Sequence, residues 1–145
     1  MTTEENKDFM RRFLDASTAK DSTGFKELMA PDFVAHVPGG PKNREGFVQH
    51  MSFFSMAFSN MQWTILDLIT DGEKIVARTT YRATHSGDFM RLPPTGKQIE
   101  IEAYIVERLR DGKSVEHWSL FDQLTMLQQL GLVPPPQAST PWMTV

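Results

Sequence analysis

The chain contains no cysteine. A disulfide framework, a thiolate metal site and a cysteine nucleophile are therefore excluded. It also lacks an excess of positive charge: 15 Lys and Arg stand against 18 Asp and Glu, a net charge of -3. A broad nucleic-acid footprint needs a basic face, so nucleic acid is not an expected partner. No apolar run reaches the length that spans a bilayer. The opening stretch MTTEENKDFMRR is too acidic and polar for a signal peptide. The expectation is a cytoplasmic protein that does not engage membranes. Histidine is sparse, with 4 residues, and no two of them fall at an HxH or HxxxH spacing. No metal site is expected on that ground. GxSxG, GxGxxG and phosphate-loop motifs are absent, and PPTGK holds too little glycine to cradle a phosphate.

What is present fits one globular domain of 145 residues, with 40% hydrophobic and 23% charged side chains. The 10 Phe, 9 Met and 3 Trp suit either a well-filled core or an adaptable apolar cavity. Phe9, Phe13 and Ala16 share a face in an amphipathic helix from Thr3 to Lys20. A short helix is expected from Gly24 to Met29, stopped by Pro31, then a strand from Asp32 to Val37 and a loop over Pro38 to Pro41. Phe47, Met51, Phe54 and Phe58 are spaced for a helix over Asn43 to Ser59. Beyond it the pattern turns to strands: Met61–Thr70, Lys74–His85, Lys97–Arg110 and Lys113–Phe121, with Asp71-Gly72 and Asp111-Gly112 as hairpin turns. A last helix runs from Asp122 to Leu130, capped by Gly131. The domain is taken as residues 1–131, and 132–145 as a Pro-rich tail that Trp142 could pin. Helices first and hairpins second give an α+β fold, in which one curved antiparallel sheet holds helices in its concave face around a pocket.

Pairing across the second hairpin selects candidate pocket residues. With Asp111-Gly112 as the turn, regular pairing sets Ile105 opposite Trp118, Ala103 opposite Leu120 and Ile101 opposite Asp122. One face then carries these apolar residues and a single carboxylate, Asp122. His117 and Ser119 fall on the other face with Tyr104, Val106 and Phe121, a face apolar enough for a two-fold contact and hence a homodimer. A bulge would reverse the assignment. Asp122 has two readings: an acid or base tuned by an apolar wall, or the N-cap of the last helix. His36 and His85 lie near strand ends, where loops shape pockets. His50 sits on the third helix. Arg78 and Arg82 share a strand face and suit either the surface or an anionic oxygen.

The stretches FVAHVP with a following REGF, THSGDFMRLPPTGK, and RDGKSVEHWSLFDQLTMLQQLG resemble the SnoaL-like polyketide cyclases. That group lies in the nuclear-transport-factor-2-like superfamily, of cystatin-like shape. The likeness runs from about Phe9 to Gly131. It implies a cone-shaped α+β barrel, often dimeric, with no metal or organic cofactor. It further implies that Asp122 removes a proton next to a carbonyl, that His36 and His85 assist, and that Trp118 walls the pocket. One departure is evident: the strand IEIEAYIVERLR lacks the histidine that the polyketide cyclases carry there. Two readings stand. In one, Asp122 works as acid/base on a mostly apolar, polycyclic ketone or ester, with Arg78 or a histidine steadying charge and Phe54, Phe58 and Met56 as walls. In the other, the cone only binds a small apolar ligand.

Overall fold

A computed structural model describes residues 2–136; the tail around Trp142 lies outside them. Helix α1 (Thr3–Ser17) starts at a reciprocal cap, in which Thr2 Oγ1 accepts from the Glu5 amide and the Glu5 carboxylate accepts from the Thr2 amide. Its periodic apolar face buries Phe9, Met10, Phe13 and Leu14. A short α2 (Thr23–Glu27) adds Phe25 to the same core. Strand β1 (Met29–Val37) begins before Pro31, earlier than the proline suggests, and pairs with a short β2 (Gly40–Asn43) where a plain loop was expected. Asn43 then caps α3 (Arg44–Ala57) by accepting from the Gly46 amide.

Strands β3 (Phe58–Asp71), β4 (Lys74–His85), β5 (Gln98–Arg110) and β6 (Lys113–Phe121) follow, and α4 (Gln123–Leu130) closes the described order. The spatial order is β2-β1-β6-β5-β4-β3. The pairs β3–β4, β4–β5 and β5–β6 are antiparallel, but β1 runs parallel to β6, so the six-stranded sheet is mixed rather than wholly antiparallel. Asp111 and Gly112 both adopt positive φ, as a tight two-residue hairpin requires. In the first hairpin the turn lies one residue later than Asp71-Gly72: Asp71 pairs with Lys74 around Gly72 and Glu73.

The curved sheet and its helices enclose two cores. One gathers the α1 and α2 aromatics with Phe33, Phe47, Ile75 and Ile105. The other gathers Phe58, Ala83, Ile99 and Ile101 under Met126 and Leu130 of α4. The connection from Ser86 to Lys97 is keyed to the α3–β3 junction at Gly87. Its amide bonds to the Ala57 carbonyl at 3.0 Å, and a Cβ there would lie 2.1 Å from the Met56 carbonyl oxygen. Among the described residues no helix is long and apolar enough to cross a membrane.

Candidate active site

The pocket face is fixed by one irregularity in the β5–β6 hairpin. Arg110 pairs with Lys113 and Leu109 with Ser114, as regular counting gives. Arg108 then pairs with Glu116, leaving Val115 as an extra residue. Every later pair shifts by one: Glu107 meets His117, Ile105 meets Ser119, and Ala103 meets Phe121. The expected pairs Ile105–Trp118, Ala103–Leu120 and Ile101–Asp122 are corrected accordingly. The bulge turns His117, Ser119 and Phe121 inward, and it turns Trp118 and Leu120 out. The β5 half of the assignment stands, since Ile101, Ala103 and Ile105 are buried on the concave face.

The same alternation carries on to Glu107, which is fully buried. Regular pleating would put Ser114 and His117, three residues apart, on opposite faces. The bulge lets both reach Glu107. Ser114 Oγ donates to Glu107 Oε2 at 2.6 Å, and His117 Nδ1 lies 2.5 Å from Glu107 Oε1. On the far side of the ring, His117 Nε2 lies 3.0 Å from Ser119 Oγ. A carboxylate accepts only, so Nδ1 donates to it, and Nε2 is the nitrogen left to exchange a proton with Ser119. The imidazole is held among the rings of Phe13, Phe33 and Phe47, with centroids 5.7, 6.3 and 4.6 Å away.

His117 and Ser119 open onto a cavity between the sheet and the helices. The space between its atoms, mouth included, is about 870 Å3, and about 80 Å3 of that admits the centre of a water molecule. Its walls are mainly apolar, among them Phe54, Met51, Met61, Ile101 and Phe121. Of its other polar side chains, Ser17 donates to the Leu14 carbonyl and accepts from Trp63 Nε1. Thr18 and Ser55 bond back to helix carbonyls. His50 is held below the usual histidine range by burial first, then by Lys42 and His117. Burial pushes the Tyr81 phenol above its ordinary range.

The residues singled out from the sequence are dispersed. Phe54 lines the cavity. Asp122 is exposed and caps α4: its Oδ1 accepts from the Thr125 amide at 3.1 Å and its Oδ2 from Thr125 Oγ1 at 2.6 Å. His36 faces outward on β1, where it bonds Glu116 at 2.8 Å and stacks on Trp118. Glu116 is held below the usual carboxylate range chiefly by that bond and then by Arg108. Trp118 thus belongs to the convex face, with Lys74 above its ring. His85 is sealed in the second core beside Phe58. Its Nδ1 meets the Thr95 hydroxyl and amide, so it clasps the 86–97 connection instead of facing the cavity. Arg78 pairs with Asp67 at 2.7 Å on the outer surface. Phe58 fills the core, and Met56 is 76% exposed, so neither is among the cavity walls. Phe121, assigned to the dimer face by regular pairing, walls the cavity.

The sequence was compared with known families, curated proteins and solved structures. The profile of the SnoaL-like polyketide cyclase family matches residues 7–130. IdmH of Streptomyces antibioticus, described as a candidate polyketide cyclase, is 36% identical; the match covers 87% of this chain and 98% of that one, with a TM-score of 0.78. AclR of Streptomyces galilaeus, described as a candidate hydroxylase, is 26% identical over 94% of this chain and 87% of that one, with a TM-score of 0.86. A SnoaL-like candidate cyclase from Jannaschia shares the fold at a TM-score of 0.80 and 17% identity, over 92% of this chain and 94% of that one. Among curated proteins none matches. The mixed six-stranded sheet, its apolar cavity and a profile match over most of the chain agree, and the protein belongs to the SnoaL-like polyketide cyclase family.

Proposed function

We propose that the protein is an acid/base enzyme of the cyclase type, acting on a mostly apolar, fused-ring carbonyl compound. His117 is the proton-transfer group. The observation that carries this reading is the buried chain Ser114–Glu107–His117–Ser119, ending at an apolar cavity.

In this mechanism the carbonyl compound fills the cavity with an acidic C–H beside Ser119 and His117. The C–H bond breaks and its electron pair becomes the enolate. The proton passes to His117 Nε2, directly or with the Ser119 hydroxyl taking one proton as it gives up its own. Glu107 fixes the ring through Nδ1 and offsets the charge of the imidazolium that forms. Ser114 holds the other Glu107 oxygen, so the carboxylate cannot rotate away. The enolate carbon then attacks an electrophilic carbon of the same molecule in a cyclisation, or recovers a proton in an isomerisation. Either way the proton on His117 goes back to the product. The apolar wall suits a substrate of the polyketide type, and IdmH, described as a candidate polyketide cyclase, points the same way.

Asp122, the base implied by the family likeness, has both carboxylate oxygens engaged by Thr125 on the surface, and this supports a capping role. The test is proton exchange at the α-carbon of 2-tetralone in D2O, followed by NMR. The wild-type protein is expected to accelerate exchange, and His117→Gln to lose roughly two orders of magnitude of that acceleration. An exchange rate unchanged by His117→Gln contradicts the proposal. Binding of the ketone with no acceleration by wild type favours a protein that only holds an apolar ligand.

A further inference from the structure

Most polar groups in the cavity wall are already committed. Ser17, Thr18, Ser55 and Trp63 bond to protein atoms, and His117 and Ser119 bond each other. Tyr81 differs. It projects from the concave face of β4 into the wall, tilted against Trp63 with ring centroids 4.6 Å apart. Among the described residues nothing hydrogen-bonds its hydroxyl, and burial alone shifts the phenol. The sealed polar atoms without partners are Asn6 Oδ1 and His85 Nε2. The Tyr81 hydroxyl is not one of them, so it is not fully sealed from solvent. An amphipathic ring facing an apolar cavity with an idle donor is a recognition group awaiting an acceptor.

Its place in the sheet sets the size of what it recognises. Ser119 pairs with Ile105, Ile105 with Ala77, and Tyr81 lies four residues further along β4. The two backbone positions are therefore separated by roughly 10 Å across the strands and 13 Å along them. Both side chains reach inward, which shortens a backbone offset of roughly 16 Å to a gap on the order of 7 Å between the hydroxyls.

We infer that Tyr81 hydrogen-bonds an oxygen substituent at the far end of a fused-ring ligand whose reacting carbonyl end lies at His117 and Ser119. The inference rests on the function proposed above and adds to it the residue that reads the end of the substrate remote from the reaction. The phenol stays protonated because burial raises it, so it serves as a donor.

The test compares 2-tetralone with 6-hydroxy-2-tetralone by titration calorimetry, on wild type and Tyr81→Phe. Wild type is expected to bind the hydroxylated ketone about five- to tenfold more tightly. Tyr81→Phe is expected to erase that preference, bringing the two affinities to within about twofold of each other. A merely structural role for Tyr81 would weaken both ligands alike and overturn the inference. The same preference in both proteins would also overturn it, with the acid/base reading intact. Failure of wild type to bind either ketone would remove the ligand cavity, and both readings with it.

Discussion

Glu107 illustrates what one side chain can carry and how far its role was legible. It is a carboxylate sealed from water, a state that costs several kcal/mol unless both oxygens find donors. Ser114 and His117 supply them. Glu107→Ala leaves the His117 Nδ1–H buried without an acceptor and the Ser114 hydroxyl with the Glu116 carbonyl alone, and is expected to cost about 3 kcal/mol or more in urea unfolding. A loss under about 1 kcal/mol would mean that the pair is wetter than described. The signal for this residue is present in IEIEAYIVERLR. The row Ile99, Ile101, Ala103, Ile105 and Leu109 is buried, and Glu107 sits in step with it. The carboxylate that interrupts an apolar row on the concave face is Glu107 of β5, whereas Asp122 lies exposed at the start of α4. His117 was hidden for another reason. Its face depends on the parity of β6, and alternation alone places it outward.

The elements themselves were more legible than their contacts. Helix periodicity, turn glycines and strand alternation give α1, α3, β4, β5, β6 and α4 within a few residues, because these are local preferences. The bulge at Val115 is not local. It is stabilised by what it brings together, with Ser114 and His117 both reaching Glu107. One inserted residue then inverts a whole strand face. This is how Trp118 left the pocket and Phe121 entered it. At the strand–helix junction, Asp122 acts as a cap on α4. Asp122→Ala is expected to cost about 1 kcal/mol of stability in equilibrium unfolding and to leave 2-tetralone exchange unchanged. A loss of exchange activity at unchanged stability would return Asp122 to the catalytic role that the family likeness implies.

At the scale of the whole molecule, helices cover the concave face of the sheet, and among the described residues none covers the convex face. The convex face carries Tyr104 at 46% exposure and Leu120 at 71%, beside the His36–Glu116–Arg108 cluster and Trp118. We expect this face to pair two copies, as the sequence suggested, although through Tyr104, Trp118 and Leu120 and without Phe121. Light scattering at micromolar concentration should give a dimer, and Leu120→Glu a monomer. A wild-type monomer under those conditions would remove the proposal. On the concave side, we propose, His117 meets the substrate inside the cavity. The most direct measurement is a crystal structure with 2-tetralone bound. The ketone is expected between sheet and helices, its α-carbon against Ser119 Oγ and His117 Nε2. A ketone seated at Asp122 on the outside, with the Phe54 and Phe121 cavity collapsed, would contradict it.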